Sequence, residues 1–189
     1  MVAKDPPRYW KDFYPNTLDS MRTREGLFAI PIDLQSSLTA YSTDHYANRG
    51  LPEPPKTWQD SSWTWGRLLA DARKLTVDLN SDGIIDLYGL QNRPSAIWYG
   101  YWYGHNVLDA YATSFLPHEE LVFQLQRLVD ALQETPIVGG SLVNGSAAIM
   151  FLGSWSTIDI ALQQPALDLA PNPWGTQPWT VAWADGLGI

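Results

Sequence analysis

The sequence contains no cysteine, no cluster of basic residues and no long apolar run. The missing cysteines exclude disulfide bonds and thiolate metal sites, although they say nothing about the cellular compartment. Twelve Lys and Arg residues against twenty Asp and Glu residues give a net charge of −8, which argues against nucleic acid as a partner. No apolar run reaches the roughly 18 residues that a membrane-spanning helix requires, so direct membrane insertion is not expected. Met1–Trp10 carries charges and two prolines where the apolar core of a signal peptide would lie.

Signatures of common enzyme classes are also missing. The sequence has no Gly-x-Ser-x-Gly nucleophile elbow, no phosphate-binding loop and no His-Glu-x-x-His zinc motif. A glycosidase pair cannot be recognised, because twenty acidic residues make some pair inevitable. His45, His105 and His118 lie in unrelated segments without metal-ligand spacing, which favours surface or loop roles. The protein is therefore predicted not to be an enzyme, and a carbohydrate-active hydrolase domain is kept as the alternative.

Hydrophobic and aromatic residues are abundant: 45% of the residues are hydrophobic, with ten Trp and nine Tyr. This composition favours one domain with a sizeable core. The aromatic residues either build that core or offer flat faces that stack on sugar rings, and we expect some of these Trp and Tyr residues to do the first and others the second. Trp98 and Trp102 lie in a dense aromatic block that follows Gln91–Pro94. If this block is helical, the two residues share one face, and the other face is free to pack or to look into a cleft.

A strand that runs into a helix is predicted around Trp155. The apolar run Ala147–Leu152 has the length of a buried strand. Gly153 then permits a sharp turn, and Ser154 is a suitable N-cap for a helix to about Leu162. Ligands of open α/β sheets bind at such junctions, at the carboxyl ends of the strands. Trp155 is therefore either a ligand contact or an ordinary core residue.

The rest of the chain alternates strands and helices, which favours an α/β fold. Strands are predicted over Gly26–Leu34 and Ser37–Ser42. Helices are predicted over Phe13–Arg24, Thr57–Lys74 and Phe115–Glu134, the first capped by Asn16 or Thr17 and the second by Thr57.

Five short segments, in this order, resemble the family 1 extracellular solute-binding proteins, the sugar-capturing receptors of ABC importers. The segments are Gly26–Asp33, Pro54–Trp58, Gly145–Met150, Gly153–Trp155 and Asp168–Pro173. The resemblance covers roughly residues 13 to 189. It implies a sugar or oligosaccharide ligand, the membrane subunits of an ABC permease as partners, and an extracellular or periplasmic location.

The resemblance also implies a fold and a division of the chain. The expected fold is a type II periplasmic-binding-protein lobe with a mixed sheet flanked by helices, incomplete relative to the two-lobe family. Residues 1–30 are expected to be a remnant of the first lobe and the hinge entry, residues 31–180 the second, ligand-binding lobe, and residues 181–189 a strand that crosses back to the first lobe. The chain is thus expected to be a central fragment.

The ligand contacts expected from the family's order lie after strand ends and near the hinge. A flat aromatic ring suits the apolar face of a sugar, and carboxylate and amide oxygens accept hydrogen bonds from its hydroxyls. For Asp33 and Asp185 a solvated turn carboxylate is the alternative. The predicted ligand-binding residues are Asp33, Gln35, Trp98, Trp102, Trp155, Trp183 and Asp185.

The segment from residue 78 to residue 86 has the front half of an EF-hand calcium loop. Oxygen ligands are expected from Asp78, Asn80, Asp82 and Asp86 and from the carbonyl of Ile84. Position 12 of the loop is a glycine rather than the bidentate glutamate of an EF-hand. The predicted cofactor is therefore a structural Ca²⁺, and an Asx-rich turn without metal is the alternative. A structural module with a calcium loop and no sugar is a further alternative for the whole chain.

Overall fold

The computed structural model describes residues 11–93, 96–109, 114–115, 119–134, 136–163, 166–178 and 180–188. Within these ranges helices and strands are interspersed along the chain, as expected for an α/β fold, but they do not alternate one by one. The helices are α1 Pro15–Ser20, α2 Thr43–Asn48, α3 Trp65–Leu75, α4 Ala96–Trp102, α5 Glu119–Glu134 and α6 Thr157–Gln163. The strands are β1 Arg22–Thr23, β2 Gly26–Leu27, β3 Ala29–Ser42, β4 Tyr88–Leu90, β5 Ala147–Gly153, β6 Leu167–Ala170 and β7 Ala182–Gly188.

Strand β3 organises the sheet, whose order is β4-β5-β3-β6. One edge of β3 pairs antiparallel with β5, and β4 joins β5 in parallel. The other edge pairs with β7 along its first part and with β6 along its last part. The N–H groups of Ser37 and Thr43 lie on this edge, where they donate to the carbonyls of Val181 and Ala166. The first half of β3 and β7 therefore form a two-stranded ribbon that continues beyond the main sheet. We call this pairing of Ala29–Ser36 with Ala182–Gly188 the β3–β7 ribbon.

The prediction of two strands before Ser42 is wrong, because β3 continues without a break. At the expected gap, the N–H of Ser36 donates to Ser154 Oγ at 3.1 Å. The N–H of Ser37 donates to the Val181 carbonyl at 2.9 Å. Both groups have partners on extended backbone, so no turn forms between the two halves.

Three predicted helices begin later than expected. Helix α3 is capped by Thr64, whose Oγ1 accepts from the N–H of Arg67 at 3.2 Å, and not by Thr57. Phe115 bridges Leu108 in a short extended pairing, and α5 begins at Glu119. Helix α1 begins at Pro15 and has no side-chain cap.

The main core lies between the sheet and helices α3 and α4. Its largest fully buried side chains include Trp63, Trp102, Tyr41 and Tyr46, with Leu68 and Leu75 from α3. Each fully buried large apolar side chain stabilises the fold by roughly 1.5–3 kcal/mol. The aromatic residues thus divide as the composition suggested, and one part of them builds this core.

Candidate functional site

The β3–β7 ribbon places several predicted ligand contacts on one face. In its antiparallel register Asp33 lies opposite Asp185, and Gln35 lies opposite Trp183. Opposite residues of an antiparallel pair point to the same side, and so do residues two apart on one strand. The four side chains therefore share one face, although about 150 residues of sequence separate the two strands.

Gln35 links the two carboxylates of this face. Its Nε2 donates to Asp33 Oδ2 at 2.8 Å and to Asp185 Oδ2 at 2.9 Å. Because both oxygens bond one nitrogen, they lie within about 6 Å of each other. Like charges directly opposite each other on a sheet are unfavourable, and the amide donor offsets part of that repulsion. We call Asp33, Gln35 and Asp185 the polar cluster.

Three indole rings stand beside the polar cluster and form the tryptophan wall, defined as Trp98, Trp155 and Trp183. Trp183 is the middle ring: its centroid lies 5.0 Å from that of Trp98 and 5.3 Å from that of Trp155. The interplanar angles are 61° and 73°, which is the edge-to-face packing that aromatic rings favour. Trp155 is 53% exposed, and the other two rings are half-buried. The wall thus offers apolar surface to solvent at a fixed geometry.

Two rings of the tryptophan wall, Trp98 and Trp183, line a cleft of about 540 Å³, whereas Trp155 and the polar cluster are not among its described lining residues. Trp98 and Tyr101 of α4 line one side, and Thr180 and Trp183 line the other. Asn106 adds an amide. A cleft of a few hundred Å³ with apolar walls and a few polar groups is the usual form of a small-molecule site.

A buried polar relay holds the segment that carries Thr180 against β3. Asn172 is completely buried; its Oδ1 accepts from Thr39 Oγ1 at 3.1 Å, and its Nδ2 donates to Thr180 Oγ1 at 3.3 Å. Thr180 in turn donates to the Ser37 carbonyl at 2.9 Å. Buried polar groups are normally hydrogen-bonded. These hydrogen bonds therefore hold Thr180, which lines the cleft, against the sheet. Sequence reasoning missed Asn172 and Thr180, although Asn172 lies inside the Asp168–Pro173 segment.

The backbone around Trp155 differs from the predicted strand, sharp turn and capped helix. The predicted strand is confirmed, but Gly153 is its last, extended residue (φ −89°, ψ 153°) rather than a sharp turn. A Cβ at Gly153 would collide with the six-membered ring of Trp155, which folds back over the strand. Ser154 begins a 3₁₀ turn and bonds β3 instead of capping α6, which begins at Thr157.

Trp102 is the predicted contact that lies elsewhere. Its side chain has no exposed surface, and its ring packs on Trp65 and Phe151 at centroid distances of 5.1 and 5.4 Å. Helix α4 runs from the cleft into the core, so one helical turn separates half-buried Trp98 from buried Trp102. The expectation that Trp102 contacts a ligand is therefore wrong. The other six predicted residues are brought together.

Outside the cleft, an ion pair ties the proline-rich segment before α3 to the sheet. Lys56 Nζ lies 2.5 Å from Asp168 Oδ2 and also contacts the hydroxyl of Tyr41. Burial alone would raise the pKa of Asp168, but its hydrogen bond to Lys56 and the charge of that residue hold the pKa below the usual value. Burial, together with the hydrogen bond to Glu53, raises the pKa of Tyr41 far above its usual value. These contacts hold the segment before α3 against strands β3 and β6.

A comparison with protein-family models matches residues 1–189 to the bacterial extracellular solute-binding proteins. The match covers the whole chain, and it agrees with the cleft and with the resemblance found in the sequence. The chain belongs to this family. A comparison with curated protein sequences gave no match.

Solved structures show the same fold for this solute-binding protein. An ABC substrate-binding protein from Listeria monocytogenes, in complex with cycloalternan, matches with a TM-score of 0.72 at 22% identity, over 96% of this chain and 50% of that one. The maltose/maltodextrin-binding domain of Bdellovibrio bacteriovorus, bound to maltotriose, gives 0.72 at 18% identity, over 96% and 49%. A solute-binding protein from Thermotoga lettingae, bound with α-D-tagatose, gives 0.71 at 20% identity, over 95% and 52%. The fold is the type II periplasmic-binding-protein fold, as predicted, and the chain spans about half the length of these structures.

The predicted calcium loop of the solute-binding protein folds as a network of Asx turns. Both carboxylate oxygens of Asp78 accept hydrogen bonds from backbone N–H groups, at 2.6 Å from Ser81 and at 2.7 Å from Gly83. Asp86 and Asp82 likewise accept from Leu79 and Ile84. In the part of the chain that the structure describes, no three acidic or histidine side chains are grouped as a metal site. The loop therefore does not present a formed cage, and calcium stays a prediction.

Over the described ranges, no helix combines the length and the apolar character that crossing a membrane requires. The longest of these helices, α5, has 16 residues and is charged on one side.

Proposed function

We propose that this solute-binding protein captures a sugar or oligosaccharide outside the cytoplasm and delivers it to the membrane subunits of an ABC permease. The observation that carries the proposal is the convergence of the tryptophan wall and the polar cluster on one face of the β3–β7 ribbon. Indole rings stack on the apolar face of a sugar, while carboxylate and amide oxygens accept from its hydroxyls. Family membership supports both the ligand class and the transport role.

The relatives support the same ligand class. The proteins from Listeria monocytogenes and Bdellovibrio bacteriovorus hold cycloalternan and maltotriose, and the protein from Thermotoga lettingae holds α-D-tagatose. At identities of 22% or less, this likeness shows a shared fold but does not indicate which sugar this protein binds. The particular sugar must therefore follow from the cleft.

The ribbon also suggests how the ligand is enclosed. β3 and β7 continue beyond the β4-β5-β3-β6 sheet, and the tryptophan wall stands where they leave it. Two-lobed binding proteins close about a hinge of a few residues at the ends of elements. We place the hinge in the β3–β7 ribbon, so that closure brings a second surface against the exposed rings. Trp155 then loses solvent exposure when the ligand binds.

The hydrogen bonding of the two carboxylates, rather than their separation, favours binding over hydrolysis, since the carboxyl groups of a retaining glycosidase also lie only about 5–5.5 Å apart. A glycosidase places its two carboxyl groups on either side of the bond that it cleaves. Asp33 and Asp185 instead lie side by side on adjacent strands and share one amide donor. We therefore expect bound oligosaccharides to be released intact, and chromatography of the ligand after long incubation tests this.

Titration calorimetry with a panel of sugars tests the proposed function. Removing a buried aromatic contact costs roughly 1–3 kcal/mol, so Trp155→Ala and Trp183→Ala should weaken binding about 5- to 150-fold. Phe123→Ala, which removes an exposed ring of α5, is the matched control and should bind like the unchanged protein. No heat with any sugar, or unchanged affinity in both folded Trp variants, would contradict the proposal.

A further inference from the structure

The polar cluster presents acceptors to a ligand and no donor. An amide nitrogen carries two hydrogens, and Gln35 uses its nitrogen on both Asp33 and Asp185. Within the described residues, Asp33 Oδ1, Asp185 Oδ1 and Gln35 Oε1 have no hydrogen-bond partner. These three oxygens can only accept hydrogen bonds. A ligand that reaches this face must therefore bring donors.

The described residues around the polar cluster add negative charge. None of the Lys and Arg residues in the described part of the chain forms an ion pair with Asp33 or Asp185, and none lines the neighbouring cleft. A neighbouring pocket of about 230 Å³ is lined by Asp33 together with Asp12. The hydroxyl of Thr180 already donates to the Ser37 carbonyl. The net charge of −8 acts in the same direction over a longer range.

The tryptophan wall strengthens this preference. The face of an indole ring is negative, so it attracts cations and does not attract anions. The wall stands against the polar cluster because Trp183 lies opposite Gln35 in the ribbon. An anionic group placed in this corner would meet ring faces and two carboxylates that are not paired with any described Lys or Arg.

We infer that the site takes neutral or amino sugars and rejects sugars that carry a carboxylate. This inference rests on the proposed function and narrows its substrate class. Hydroxyl groups and ammonium groups both supply the donors that Asp33 and Asp185 lack. A uronate supplies hydroxyls as well, but its own carboxylate is repelled.

Stereochemically matched probes separate charge from shape. The probes are trisaccharides of glucose, mannose and galactose, the corresponding trisaccharides of glucuronate, mannuronate and galacturonate, and trimers of glucosamine and galactosamine. In calorimetry at low salt, the uronate of each pair that binds should be at least tenfold weaker than its neutral match. This difference in affinity between a uronate and its neutral match should become smaller at about 1 M NaCl, where charges are screened within about 3 Å.

Two variants assign the rejection to the polar cluster. The single variant Asp185→Asn and the double variant Asp33→Asn/Asp185→Asn keep the size of the side chains. Both should reduce the affinity difference between each neutral trisaccharide and its uronate at least fivefold. Asp44→Asn removes the same charge in α2, at the other end of β3 from Asp33, and should leave this difference unchanged. An equal effect of Asp44→Asn would assign the rejection to net charge and overturn the inference.

The outcomes distinguish this inference from the proposed function. If none of the trisaccharides and no sugar of the wider panel binds, the proposed function fails. If a uronate binds as tightly as its neutral match or more tightly, the function stands and the inference is wrong.

Discussion

Gly153→Ala tests whether the backbone of β5 seats Trp155. The backbone at residue 153 is extended, so alanine is allowed there without strain. The added methyl group would occupy the space of the Trp155 ring, which must then swing outward. The ring is 53% exposed, so this movement uncovers little core surface.

The effects of this substitution on stability and on binding should differ in size. Gly→Ala in an allowed conformation stabilises a protein by about 0.4–1 kcal/mol through the unfolded chain. Losing the edge-to-face contact between Trp155 and Trp183 costs about 0.5–1.5 kcal/mol. The free energy of unfolding should therefore change by less than about 1 kcal/mol. Sugar binding should weaken by up to the roughly 1–3 kcal/mol that the Trp155 ring contributes.

A double-mutant cycle with Trp155→Ala gives the decisive measurement. If Gly153→Ala acts only by displacing the ring, the double variant should bind no more weakly than Trp155→Ala alone. Gly66→Ala is the control: this glycine lies in α3, where an added Cβ meets only Thr64 Oγ1 at 3.7 Å. It should leave binding unchanged. Affinity of Gly153→Ala equal to that of the unchanged protein, or losses that add in the double variant, would refute the reasoning.

Three further predictions concern stability. Arg67→Lys should lower the free energy of unfolding by about 2 kcal/mol in urea titrations. Nη2 of Arg67 donates to the carbonyls of Pro52 and Glu53 at 2.7 and 2.9 Å while its Nε lies 3.5 Å from Asp71, and the single nitrogen of lysine cannot serve both places; an unchanged midpoint would contradict this. Burial raises the pKa of Asp71 above 3.8 against the opposing charge of Arg67, so the stability it contributes at low pH is lost as pH rises through the folded-state pKa, and Asp71→Asn should remove that loss in unfolding curves from about pH 3.5 to pH 7. If the loop around Asp82 binds calcium, EDTA should lower the melting temperature and Asp82→Ala should abolish that effect. A melting temperature that EDTA does not change would support the alternative, an Asx-rich turn without metal.

Local patterns predicted the elements whose ends are marked by strong signals. The apolar run of β5 and the end of α5 at Glu134 before Pro136 were predicted from the sequence and are present. Boundaries set by contacts from elsewhere were predicted wrongly. Ser36 and Ser37 looked like a gap between strands, but partners from residues 154 and 181 keep them extended.

The site depended on the resemblance more than on periodicity. The resemblance placed Asp33, Gln35, Asp185 and three tryptophans near one ligand, and the structure brings these six together; their role in binding remains a prediction. Helical spacing put Trp98 and Trp102 on one face but gave no sign that α4 runs from the cleft into the core. Asn172 could not be found from the sequence, because its partner Thr39 lies 133 residues away.

The packing of the indole rings has an optical consequence. Trp155, Trp183, Trp98, Trp102 and Trp65 follow one another with centroid separations between 5.0 and 6.5 Å, from the cleft to the centre of the core. Excitation energy passes between indoles at such separations much faster than an indole emits. The five rings therefore act as one antenna, and light absorbed by buried Trp65 is emitted in part from the exposed end. A molecule that covers Trp155 changes the emission of rings that it never touches.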